Sequence, residues 1–242
     1  MKIWTTLDRA ETPEKTELSL KHSGHDYLIL ANGRTLMSSD NHGSEEALST
    51  LGCARILKRE APTVLVGGLG MGFTLRAALD VLPPDATVVV AELLEAVVTW
   101  NKGPLGPLAG NPLADPRSVV AQGDIAALLR DSDGRFDAIL LDVDNGPVAF
   151  SQEGNSWLYG DEGIAVTRRA LKPDGTLAVW SAWGDKKFEH RLTYGGFGLE
   201  VHVVRARLGK GGRKHTIFLG HVGEAPTRPK KQGRPKGRKR RR

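Results

Sequence analysis

Thr63-Val-Leu-Val-Gly-Gly-Leu-Gly-Met-Gly-Phe-Thr74 is the stretch on which the fold of this chain turns. The apolar run Val64, Leu65 and Val66 feeds directly into Gly67, Gly68, Gly70 and Gly72, and a helical spacing follows at Leu75, Ala77, Ala78 and Leu79. That pattern is a buried strand bending through glycines into a helix. Glycines allow positive φ and let a ligand approach the backbone, while free N–H groups at the helix start favour an anionic or polar group. Alone, such a turn is a weak signal, because many α/β folds use one merely to pack helix on strand.

Glu92 strengthens it. A second strand, Thr87-Val-Val-Val-Ala91, ends in this acid, about 20 residues past the turn, where a doubly wound fold grips ribose hydroxyls. A carboxylate accepts from both hydroxyls of a cis-diol at once. A solvated strand-end acid is the plainer alternative. Turn and acid together point to a nucleoside cofactor.

Outward from this pair, strand and helix alternate. Strands are expected near 63–67, 86–91, 117–121, 136–142 and 175–181, and helices near 73–81, 93–101, 124–130, 161–171 and 186–194. Lys172-Pro-Asp-Gly175 reads as a turn before the fifth strand. Alternation implies right-handed crossovers and a parallel sheet covered by helices on both faces. Leu199–Arg207 and Lys214–His221, joined by Gly209–Arg213, must pair antiparallel. Upstream, Lys2–Thr6, Glu17–Leu20 and Tyr27–Ala31 are short β-like runs, and Asn32-Gly33 is a hairpin signal. Gly43–Lys58 is expected to be helical, ended by Pro62. The chain therefore divides into a β module over 1–42, a Rossmann-like domain over 43–224 and a basic tail over 225–242.

The 242 residues suffice for one ample core. No apolar run approaches the ~18 residues of a membrane span, and the polar start does not resemble a signal peptide. Cys53 is the only cysteine, which excludes an intramolecular disulfide and a Cys-cluster metal site. A cytoplasmic protein is the simplest expectation. Of the formal charge of +6, ten Lys or Arg lie between Arg228 and Arg242. Without them 24 basic face 28 acidic residues, so the folded part carries about −4 and exerts no large net pull on nucleic acid.

A doubly wound, mostly parallel seven-stranded sheet closed by an antiparallel hairpin resembles the S-adenosylmethionine-dependent methyltransferase architecture. Within it, the chain resembles the spermidine synthase family from about Leu28 to Val222. Gly67–Gly72 is similar to that family's glycine loop and Glu92 to its ribose-binding acid. Gly123-Asp124 is similar to the pair whose Asp receives the adenine amino group. Asp137–Asp142 followed by Gly146-Pro147 is similar to the strand ending in the catalytic Asp, and Asp40–Glu46 to the segment that opens the active-site helix. The resemblance implies S-adenosylmethionine or its decarboxylated form as cofactor, an amine or other nucleophilic acceptor, polyamine biosynthesis as setting, and a homodimer supported by the β module.

Departures from the family redirect the reading. Synthases carry an acid inside the glycine loop, suited to the decarboxylated donor, and here that position is Gly70. Its loss removes a clash with a methionine carboxylate of ~1–4 kcal/mol at close range, which favours methyl transfer from full S-adenosylmethionine. Ser44 and Glu45 stand where such synthases have Tyr and Gln. The loop after Asp142 is shortened, leaving Asp144 as a second acid.

Transfer from a sulfonium requires positioning and an unprotonated nucleophile. Asp142, at a strand's carboxyl edge, and Asp144 sit where the base belongs; a loop cap is the alternative role. Asp40 and Glu45 are expected near the substrate. Trp157 and Tyr159 either flank an alkylammonium by cation–π contact or anchor their loop. Trp180 and Trp183 read as structural. His22, His25 and His42 lack ligand spacing, so no metal is expected. The tail has the composition of a disordered segment, and Gly233-Arg-Pro-Lys236 resembles an AT-hook. Three readings result: a transferase with methyl transfer favoured, an aminopropyltransferase acting on putrescine, and a nucleic-acid-binding protein acting through residues 228–242.

Overall fold

The computed structural model describes residues 2–13, 15–143, 157–207 and 212–224. Strands β1 (Thr5–Glu11), β2 (Glu17–Ser23), β3 (Asp26–Ala31) and β4 (Arg34–Ser38) form an antiparallel sheet in chain order. The Asn32-Gly33 signal holds: both residues have left-handed φ, 47° and 76°, between the paired Ala31 and Arg34. The first strand, expected over Lys2–Thr6, instead runs Thr5–Glu11, and β4 was not expected at all. Both carry mostly exposed or half-buried side chains, so neither shows an apolar alternation.

The second sheet has the order β10 (Gly198–Arg205), β11 (Lys214–His221), β9 (Leu171–Ser181), β8 (Phe136–Leu141), β5 (Thr63–Gly67), β6 (Thr87–Glu92), β7 (Ser118–Gln122). It is parallel from β9 to β7, while β11 runs antiparallel to both of its neighbours. Helices α1 (Gly43–Cys53), α2 (Phe73–Val81) and α3 (Glu95–Lys102) cover one face. The other is covered by α4 (Ile125–Arg130), α5 (Asp161–Ala170) and α6 (Lys186–Tyr194). The pleat of β5 explains its unbroken apolar run. Val64 and Val66 join Leu48 and Leu75 on one side, while Leu65 joins Leu129 and Phe188 on the other. All three β5 side chains are fully buried, which contributes about 2 kcal/mol each.

Two expectations are corrected. The helix over Gly43–Lys58 stops at Cys53, after which i→i+3 bonds take over (Ile56 N–H to Cys53 O, Arg59 N–H to Ile56 O). This tighter winding keeps Ile56 in the core while Leu57 faces solvent. The strand expected from 175 begins at Leu171. Leu171 pairs with Phe136 and Thr176 with Ala138, so the Lys172–Gly175 turn loops out inside the strand, with Asp174 at φ 59°.

Chain order reverses between β5 and β8, which lie side by side. The crevice above their carboxyl ends is where such sheets bind ligands. The N-terminal sheet is packed against the same body. Leu18, Leu20 and Ile29 join the α1–α3 core, and Trp100 Nε1 on α3 donates to Asp8 Oδ2 at 2.7 Å. Among the described residues no helix is long and apolar enough to cross a membrane.

Candidate active site

Two adjoining cavities open above β5 and β8, one of about 680 Å³ and one of about 1020 Å³. They share the wall formed by Gly70, Asp142 and three residues of β4, Thr35, Leu36 and Met37. The N-terminal sheet therefore roofs the crevice, a role its sequence does not announce.

The smaller cavity collects Gly68, Gly70, Glu92, Gly123 and Asp124. At Gly68 φ is +85°, and a Cβ there would lie 2.7 Å from the Asp142 carbonyl oxygen, so only glycine allows β5 and β8 to meet at this point. Gly67 and Gly72 stand behind the wall: a Cβ on Gly67 would strike Ile125 Cδ1, and Gly72 opens α2. Glu92 is 9 % exposed, with Oε2 accepting from Leu69 N–H at 3.0 Å and Oε1 from Leu94 N–H at 2.9 Å. The Gly70 and Leu93 backbone groups also hydrogen-bond this carboxylate, so it is held rigidly at the mouth of the glycine turn. Burial raises the carboxyl above its ordinary value, opposed by these backbone donors. Asp124 lines the cavity and caps α4 through Oδ1, which accepts from Ala126 N–H at 2.9 Å. Asn101 went unnoticed in the sequence. Buried on α3, its Nδ2 donates to Gly70 O (2.8 Å) and Val97 O (2.9 Å), tying the glycine turn to the helix.

At the shared wall, Asp142 Oδ2 accepts from Thr74 Oγ1 at 2.5 Å, and its N–H donates to Gly67 O. Thr74 is fixed in turn, since its carbonyl accepts from Ser49 Oγ on α1 at 2.7 Å. Helix α1 lies close enough to β8 and β9 that a Cβ on Gly52 would overlap Leu140 Cδ2. That approach carries Glu45, in the first turn of α1, into the lining of the larger cavity, near Asp142. Burial and then the neighbouring Asp142 charge push the Glu45 carboxyl up to about 7, and burial pushes Asp142 up to about 6 against the Thr74 hydrogen bond. Glu45 Oε2 accepts from Ser44 Oγ at 2.7 Å, and Ser44 Oγ lies 2.9 Å from His215 Nδ1 on β11.

Other expected residues fall elsewhere. Asp40 is held by Ser38, Asn41 and Arg207 (Nη2 to Oδ2, 2.6 Å) and lines neither cavity. Trp157 and Tyr159 also stay off both walls. Arg130 covers the Trp157 ring at 4.0 Å, so the cation on that ring is the chain's own. Tyr159 is buried edge-on to Phe188, and its hydroxyl donates to Val143 O at 3.1 Å. Both anchor the start of α5. Conversely, Trp180 and Trp183, read as structural, line the larger cavity, because β9 ends at its edge. Asp144 and the rest of 144–156 lie outside the described residues, as does the tail over 225–242. Among the described residues no cluster of three His, Cys, Asp or Glu is disposed to hold a metal.

The fold matches those of solved proteins. The structure of spermidine synthase from Thermotoga maritima superimposes with a TM-score of 0.71 at 16 % identity, covering 90 % of this chain and 72 % of the other. A spermidine synthase in complex with the transition state analogue AdoDATO gives 0.70 at 18 %, with the same coverage. The chain shares the fold of these spermidine synthases. In sequence it is 26 % identical over 180 residues to the polyamine aminopropyltransferase of Leptospira biflexa serovar Patoc, in each of two strains. That match takes in 74 % of this chain and 60 % of the relatives' length. No family model matches.

Proposed function

We propose that this chain transfers an aminopropyl group from decarboxylated S-adenosylmethionine to an amine. The observation that carries the reading is the Glu45–Asp142 carboxyl pair lining the larger cavity, with Asp142 on the wall common to both. An acidic wall suits a donor tail that ends in an amine and opposes one that bears a carboxylate. The missing acid at Gly70 is thus offset by Glu45, which stands where synthases have Gln.

The smaller cavity fits an adenosyl group by its contents: the Glu92 carboxylate for the sugar, Asp124 for an exocyclic amine, and a glycine wall with no Cβ at 68 or 70. The chemistry supplied by such a donor is a carbon already bonded to a sulfonium. As the nitrogen–carbon bond forms, the carbon–sulfur bond breaks, its electron pair stays on sulfur, and one proton must leave the new amine. Asp142 and Glu45 receive that proton. With the pair raised to about 6 and about 7, its proton affinity lies near neutral pH, where a general base is effective. Thr74 fixes the Asp142 carboxyl, and Trp180 flanks the space the acceptor would enter.

Calorimetry with S-adenosylmethionine and its decarboxylated form, together with mass spectrometry of products from a panel of amines, tests the reading. A preference for the decarboxylated donor and a gain of one aminopropyl unit are expected, with Asp142→Asn lowering turnover more than donor binding. Tighter binding of the full donor, or a methylated product, would return the assignment to methyl transfer.

A further inference from the structure

The larger cavity is acidic beside the wall it shares with its neighbour and basic where β10 and β11 meet. Asp142 and Glu45 form the first end. Behind the wall, the buried Ser44 hydroxyl links two lining residues, lying 2.7 Å from Glu45 Oε2 and 2.9 Å from His215 Nδ1. Two residues before His215, Arg213 also lines the cavity, and Lys214 lines it between them. Arg213 is near enough that its charge, after burial, holds the His215 imidazole below its ordinary value.

These cations differ in their engagement. The Arg207 guanidinium, on the same rim, is occupied by Asp40 Oδ2 at 2.6 Å and Asn41 Oδ1 at 3.2 Å. Arg213 and Lys214 are exposed and have no ion pair among the described residues. An α,ω-diamine set with one nitrogen at Glu45 and Asp142 would turn its second ammonium toward two unneutralised cations. An amine ending in an anion would meet opposite charge at both ends.

We infer that the acceptor is a primary amine bearing an anionic group, its nitrogen held by Glu45 and Asp142 and its anion by Arg213 and Lys214. The inference rests on the aminopropyl-transfer reading for the reaction and names the class of acceptor. It sets this cavity apart from one built for a simple diamine such as putrescine.

Three probes of similar length test it by calorimetry: 4-aminobutyrate, 3-aminopropyl phosphate and putrescine. Tighter binding of either anionic probe than of putrescine is expected, with carboxylate and phosphate separated by which of the two binds better. Arg213→Ala should shrink that preference about fivefold, the upper range for an exposed charge pair, and Arg213→Ala/Lys214→Ala should abolish it. Both positions are exposed, so the variants should fold, and added salt should weaken the preference in the unmodified protein. Tighter binding of putrescine, or an anion preference that survives in the double variant, overturns the inference. Incubation with decarboxylated donor separates the two claims. Transfer to putrescine without anion preference keeps the reaction and sinks the acceptor class. Anion-preferring binding without transfer supports the acceptor class and counts against the reaction.

Discussion

Glu45→Gln isolates the charge on which the proposed site depends. The substitution keeps the side-chain shape and an oxygen to accept from Ser44, while removing one of two neighbouring acids. Burial and the Asp142 charge raise Glu45 from 4.5 to about 7. A carboxyl raised in the folded state favours the protonated fold. Its contribution to stability is therefore complete below about 4.5 and is lost as pH climbs through about 7. At ~1.4 kcal/mol for each pH unit, the part of this rise that lies between pH 5 and about 7 corresponds to roughly 2 kcal/mol. Urea unfolding at pH 5 and pH 8 measures this directly. Between those values the unmodified protein should lose about 2 kcal/mol more than Glu45→Gln. Parallel stability curves for the two proteins would refute the pairing of Glu45 with Asp142.

Thr74→Val removes the hydrogen bond that restrains Asp142, so the acid limb of the pH–rate profile should move about one pH unit toward alkaline; an unmoved limb counts against Asp142 as proton acceptor. Glu92→Ala leaves the Leu69 and Leu94 N–H groups without their carboxylate, and should cost about 1–3 kcal/mol in both thermal stability and affinity for 5′-methylthioadenosine. Retention of both would remove Glu92 from the site. Gly70→Asp places a side chain at φ +52° with its Cβ 3.0 Å from Met37 Sδ. It should destabilise the fold by about 1–3 kcal/mol and weaken full S-adenosylmethionine more than the decarboxylated form, and equal weakening of the two donors in calorimetry would contradict the placement of the donor tail beside Gly70.

Local signals were legible in the sequence because their causes lie within a few residues. The buried run of β5, the glycine turn, Glu92 at the end of β6, the Asn32-Gly33 hairpin and the reversed final strands each follow from short-range sterics or periodicity, and with them came the sheet and its crevice. Helix α6, Lys186–Tyr194, lies where its spacing puts it, capped by Asp185. Edge strands with polar faces, such as β1 and β4, escaped because the apolar alternation that marks a strand requires a buried face.

Tertiary structure alone decided which side chains share a cavity. Glu45 and Asp142 are 97 residues apart and Ser44 and His215 are 171 apart; only the approach of α1 to β8 and the return of β11 beside β9 bring them together. The same packing turned Trp180 and Trp183 toward the larger cavity and Trp157 and Tyr159 away from it, although all four are equally aromatic in sequence. Residue type limits what chemistry a side chain can perform, and the order in which distant segments pack determines its neighbours and therefore its charge.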